Sequence, residues 1–141
     1  MSRFVLDCSV SAAWCIEDES SDAADSILRR LTDDEALVPP LWITEMANVL
    51  LMAERRGRIS PANATRAVEL ILSLPLSVEF PNLRTLNASR LLAREYDLSA
   101  YDASYLELAL REGLPLATMD KTLSAAAAKC GVALLPEPSS Y

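Results

Sequence analysis

Four acidic side chains, Asp7, Glu45, Asp102 and Asp120, carry the chemistry open to this chain. Each falls where a buried apolar face is expected, and the 141 residues include no histidine. A carboxylate taken out of water is costly unless it is protonated, paired with a cation or bound to a metal. The missing imidazole excludes Ser-His-Asp and Cys-His nucleophiles in their usual form, and histidine-ligated zinc with them. A shared all-oxygen site suits a hard divalent cation such as Mg2+ or Mn2+. Such ions polarise phosphoryl oxygens and lower the pKa of bound water. Phosphodiester hydrolysis is the reaction that fits without histidine.

Spacing sharpens the choice between this reading and plainer ones. Glu45 has Leu41 and Trp42 behind it and Asn48, Val49 and Met52 ahead, so at helical spacing it sits on an apolar, inward face. Asp102 heads a similar stripe through Tyr105, Leu106, Ala109 and Leu110. The plainer alternatives stay open. Asp7 could end a strand and cap the next helix, and Glu45 could be an exposed helix residue. Ser99 and Asp102 have capping-box spacing. Asp120 fits an ordinary N-cap as well as it fits a site.

The elements that must hold these residues alternate. Apolar segments at 4–6, 36–38, 77–80, 116–118 and 132–135 read as strands, most without the polar alternation of a half-exposed sheet. Helical patterns fall at about 11–17, 22–31, 41–56, from 61 onward, 82–95, 99–112 and 120–130. Gly57, Gly113 and Gly131 each close one of them. Strands alternating with helices predict a three-layer α/β/α domain over residues 1–141, with a central, mainly parallel sheet of about five short strands and right-handed crossovers. Asp7 then ends the first strand, Glu45 follows the second and Asp120 the fourth. Ligands of open α/β sheets bind beyond those carboxyl ends.

Composition sets further bounds. Hydrophobic residues make up 51% of the chain, which suggests an oligomer or a bound partner. No apolar run is long enough for a bilayer and the first residues do not resemble a secretion signal, so a cytosolic protein without membrane contact is expected. Cys8, Cys15 and Cys130 have no metal-ligand spacing and read as reduced, packed thiols. The net charge of −7 opposes nucleic-acid binding when taken alone. Acidic residues nevertheless cluster at 17–25 and 33–35, whereas Arg55, Arg56 and Arg58 stand together as possible RNA contacts. A solvated helix face or turn is the plain alternative for both sets.

Around the four acids the chain resembles PIN-domain ribonucleases, in particular the VapC toxins of toxin–antitoxin pairs. The likeness runs through Val5-Leu6-Asp7-Cys8-Ser9-Val10 with Trp14, then Pro40-Leu41-Trp42 with Glu45-Met46-Ala47-Asn48-Val49-Leu50. It continues in Leu98-Ser99-Ala100-Tyr101-Asp102-Ala103-Ser104-Tyr105 and closes with Leu116-Ala117-Thr118-Met119-Asp120 and Leu123. The resemblance implies a Mg2+- or Mn2+-dependent endoribonuclease in which Asp7, Glu45, Asp102 and Asp120 form the metal-binding set. Asp7 and Asp102 would be its most direct ligands. Ser9, Thr118 and Asn48 would orient carboxylates or water, although Ser9 and Thr118 also suit turn or cap chemistry. Cys8 replaces an alanine common in the family and reads as packing. The resemblance further implies a homodimer and a small VapB-like antitoxin, for which the apolar stripes around Trp14 and Trp42 are candidate grooves; the plain alternative is that both tryptophans are core, which is favoured for Trp42 and left open for Trp14.

Two other classes compete. An aspartate-dependent phosphomonoesterase would carry a second Asp two residues after the first, where Asp7-Cys8-Ser9 has serine. A non-catalytic module could keep the fold and bind through its helices. Neither the RNA cleaved nor the number of metal ions is encoded in a recognisable motif.

Overall fold

The computed structural model describes residues 2–137. Its strands are β1 (Arg3–Leu6), β2 (Glu35–Val38), β3 (Leu76–Val78), β4 (Leu116–Ala117) and β5 (Leu134–Leu135). They form one parallel sheet in the order β3-β2-β1-β4-β5. Phe4 pairs with Ala36 and Leu6 with Ala117, so β1 lies at the centre with β2 and β4 on either side. Phe4, Val5, Leu6, Ala36, Leu37, Val38, Leu116 and Ala117 are all within 1% of complete burial. Strands covered on both faces need no polar alternation, and these have none. Each large side chain so buried contributes about 1.5–3 kcal/mol.

Seven helices flank the sheet among the described residues: α1 (Cys8–Cys15), α2 (Asp22–Arg30), α3 (Leu41–Arg55), α4 (Pro61–Ser73), α5 (Leu83–Tyr96), α6 (Ala100–Glu112) and α7 (Lys121–Lys129). None is long and apolar enough to cross a membrane. Local chemistry sets their ends. The Ser21, Ser60 and Ser99 hydroxyls accept backbone amides at the starts of α2, α4 and α6, and Pro61 supplies the preset φ of a first helical residue. Gly113 ends α6 at φ +66°, where a side chain would be strained.

The three-layer α/β expectation holds, with corrections at element ends. The first helix begins at Cys8 rather than at residue 11. No turn intervenes after β1, because Asp7 is itself the extended N-cap residue (φ −80°, ψ 148°). The third strand occupies Leu76–Val78 rather than 77–80. The Glu79 amide still reaches the Val38 carbonyl at 2.9 Å, but Phe80 turns outward before Pro81 and is 75% exposed. The fourth and fifth strands are also shorter than expected, two residues each.

This strand order creates one topological switch point. The chain walks from β1 to β2 to β3 on one side, then returns to lay β4 and β5 on the other. The crevice beyond the carboxyl ends of β1 and β4 is where open α/β sheets bind ligands.

Candidate active site

Asp7 leaves β1 at the switch point, its amide bonded to the Ala117 carbonyl at 3.0 Å. Its side chain is 5% exposed and does not cap α1. Instead its Oδ2 accepts two hydroxyls, Ser9 Oγ at 2.6 Å and Thr118 Oγ1 at 2.7 Å. Those hydroxyls in turn accept the Met119 amide (2.9 Å, to Ser9) and the Asp120 amide (3.0 Å, to Thr118). One carboxylate oxygen is thereby fastened to α1 and to the residue after β4, and through them to the turn before α7. Among the described residues no side chain donates to Oδ1, the other oxygen. Burial pushes the Asp7 carboxyl above the usual carboxylate range, the Ser9 and Thr118 hydroxyls pull it back, and the negative charge of Asp120 adds to the upward push.

Glu45 stands in the second turn of α3 and is half-buried. Its Oε1 accepts the phenol of Tyr105 from α6. Burial raises its pKa, the Tyr105 hydrogen bond opposes this, and the charges of Asp7 and Asp102 raise it further. Burial first and Glu45 second hold the Tyr105 phenol far above its ordinary value, so Tyr105 stays a donor. Asp102 lies in the first turn of α6, its amide bonded to Ser99 Oγ at 3.0 Å. Burial lifts its carboxyl, then the charges of Asp120 and Asp7, while hydrogen bonding to Ser99 offsets part of the rise. Asp120 Oδ1 accepts the Leu123 amide at 2.8 Å and so caps α7. For that oxygen the plain reading is correct. The Asp120 charge nevertheless acts on both Asp7 and Asp102.

Asp7, Glu45 and Asp102 thus act on one another through their charges, and the charge of Asp120 acts on Asp7 and Asp102. None forms an ion pair among the described residues, whose salt bridges join Arg30 to Asp34, Arg58 to Asp18 and Glu19, and Arg111 to Glu107 and Glu112. No three acidic or thiol side chains there close into a ready-made metal cage. The donor set still fits a hard divalent cation: it is all carboxylate, close enough for mutual repulsion, and without a counter-charge.

Other sequence candidates lie outside the crevice. Asn48 is exposed on α3 and makes no side-chain hydrogen bond among the described residues. Arg55 is the last residue of α3, about 15 Å along the axis from Glu45, and Arg56 and Arg58 lie beyond it. Arg58 is already engaged, at 2.7 Å from Asp18 and 3.2 Å from Glu19. Cys8 packs its Sγ 3.5 Å from Met46 Sδ, and burial pushes its thiol up to about 12, which suits packing rather than nucleophilic attack. Trp42 is core, its Nε1 donating to Ser11 Oγ at 3.0 Å, and Trp14 donates to the Ala24 carbonyl at 2.7 Å.

Two polar features were not singled out from sequence. Tyr105 is one; a phenol on a core-facing stripe needs a partner, and that requirement was the available signal. The other is Glu107, 7% exposed and paired with Arg111 at 2.8 and 3.4 Å, readable as an i, i+4 charge pair.

The PIN domain family model matches residues 4–129. The chain belongs to the PIN domain family. This PIN domain is similar to PAE2754 from Pyrobaculum aerophilum, with 29% identity, a TM-score of 0.66, and coverage of 89% of this chain and 79% of that one. It also shares its fold with VapBC2 from Rickettsia felis, a structure bound to a DNA fragment from the pair's promoter (11% identity, TM-score 0.68, 94% and 96% coverage). A third similar fold is VapC20 from Mycobacterium tuberculosis, described as a sarcin-ricin-loop-cleaving toxin (16% identity, TM-score 0.57, 87% and 94% coverage). No curated protein matches this PIN domain in sequence.

Proposed function

We propose that this PIN domain is a metal-dependent endoribonuclease, acting as a single-domain cytoplasmic toxin held in check by an antitoxin. The observation that carries the reading is Asp7 at the switch point of the sheet, within reach of the charges of Glu45, Asp102 and Asp120 and with no ion pair to any of the four among the described residues. Membership of the PIN domain family supports it, as does the shared fold with a toxin described as cleaving the sarcin-ricin loop.

Within this reading Asp7 and Asp102 are the most direct ligands of Mg2+ or Mn2+, and Glu45 and Asp120 complete the set. Ser9 and Thr118 fix Asp7 Oδ2 and so aim Oδ1 into the crevice. A cation bound there supplies positive charge for a phosphoryl oxygen and acidifies its water. The half-exposed edges of Glu45 and Asp102 leave room for an RNA backbone to approach.

An antitoxin has a place to dock. An apolar groove of about 420 Å³ opens between α3, α4 and β3, lined by Trp42, Ile43, Leu50, Val68, Leu72 and Val78. Its apolar lining suits the buried face of a partner helix. Trp42 is core, as the plainer reading of it has it, yet its edge lines this groove, while Trp14 borders a second, more polar one with Glu17, Arg58 and Asn63. The apolar surface of Phe80, Leu83 and Leu86, each at least 70% exposed, offers the homodimer a face of its own.

The test is to compare the wild type with Asp7→Asn and Asp102→Asn on total RNA, mapping new ends. Cleavage is expected to fall at least about 100-fold in either variant and in EDTA, with unfolding temperatures of the metal-free variants equal to or above that of the wild type. Normal cleavage by either variant ends the reading.

A further inference from the structure

Glu45 and Asp102 reach the crevice from different helices, and nothing in the backbone hydrogen bonding of α3 and α6 fixes one against the other. A single side chain does so. Tyr105 lies on the turn of α6 that follows Asp102, is completely buried, and donates its phenol to Glu45 Oε1 across 60 residues of sequence. A buried phenol needs one acceptor, and a backbone carbonyl would serve. Here the acceptor is a carboxylate on another helix, and that carboxylate receives no other side-chain hydrogen bond among the described residues.

We infer that Tyr105 is a positioning residue, which sets the reach of Glu45 into the crevice relative to Asp102 on its own helix. The inference rests on Glu45 belonging to the metal-binding set. With one oxygen of Glu45 occupied by the phenol, Oε2 is left without a side-chain donor among the described residues, as Oδ1 is at Asp7. The two carboxylates are then held in the same way, each by hydroxyl donors on one oxygen. Such supporting hydrogen bonds, when removed, typically cost metal sites about 10–100-fold in affinity.

Mn2+ binding to RNA-free protein, followed by electron paramagnetic resonance, tests this without recourse to turnover. Y105F is expected to weaken Mn2+ binding about tenfold while its metal-free unfolding temperature stays close to wild type. Glu45→Gln should weaken binding at least as much, and Y105F added to Glu45→Gln should have no further effect. Should Y105F fail to fold, wild-type protein with 13C-labelled tyrosine gives a second readout: the Tyr105 Cζ resonance should shift on Mg2+ titration at the midpoint of metal binding. Unchanged Mn2+ affinity in Y105F, or a stationary Cζ resonance, overturns the role of Tyr105 while the site itself stands, provided Glu45→Gln still weakens binding. If Asp7→Asn and Glu45→Gln both bind Mn2+ as wild type does, the inference and the site reading fall together.

Discussion

Thr118 donates its hydroxyl to Asp7 Oδ2 and accepts the Asp120 amide, so one oxygen atom links two acids of the crevice. Thr118→Val keeps the shape and removes both bonds at a residue 5% exposed, leaving the part-buried Asp120 amide without this partner. It is expected to destabilise the protein by about 1–3 kcal/mol in urea titration, and Thr118→Ser by less than about 1 kcal/mol. A larger loss in Thr118→Ser than in Thr118→Val would mean that the methyl group, rather than the hydroxyl, matters. At this scale sequence was uneven. Asp7 and Asp102 stood out because charge on an apolar stripe is conspicuous. Thr118 looked equally like turn chemistry, since its target lies 111 residues away, and Ser9 like cap chemistry, since it stands two residues after Asp7 at a helix start. Tyr105 was visible only as part of a buried stripe, because helical periodicity tells which face turns inward and not what a phenol meets 60 residues away.

Helix α6 carries both Asp102 and Tyr105, and its first turn is closed by Ser99. Ser99→Ala should cost about 1 kcal/mol, read as a fall in thermal midpoint of several degrees. Because the fraying turn is the one that holds Asp102, Mn2+ affinity should fall with it. The matching substitution at Ser60, which caps α4 away from the crevice, should cost similar stability and leave Mn2+ affinity intact. Equal losses of metal binding in both would show that overall stability, not the local turn, is responsible. Helix ends were legible wherever punctuation is local: Ser60-Pro61, Ser99, Asp120 and Gly113 sit within a residue of the observed boundaries. The start of α1 was not, because Asp7 passes from strand to helix without a turn residue to mark the change. Short strands lost residues at their ends, where pairing depends on neighbours distant in sequence.

For the whole molecule, charge couples folding to pH and metal. Asp7, Glu45 and Asp102 all hold their protons more tightly in the fold than in the unfolded chain, burial being the largest cause in each case. A carboxyl with a raised folded pKa lowers stability as pH climbs from the ordinary carboxylate value, about 4, through the folded value. The exposed Asp18, held low by Arg58, acts in the opposite sense, but only below the ordinary range. Without metal, then, the thermal midpoint should be higher at about pH 5.5 than at about pH 7.5. Millimolar Mg2+ should raise it more at the higher pH, where the acids are ionised. Differential scanning fluorimetry in EDTA and in Mg2+ measures both, and a midpoint that falls steadily on acidification in EDTA would contradict the coupling. Strand alternation with helices made the parallel α/β class readable, yet the order β3-β2-β1-β4-β5 was not, since it is fixed by which edges pair. That order has a consequence during synthesis. Asp7 emerges among the first residues, but Thr118, which fastens it, is 111 positions later. A polypeptide still growing on the ribosome therefore carries an Asp7 without its Thr118 donor, beside a strand position not yet filled, and the crevice takes shape only after β4 has emerged.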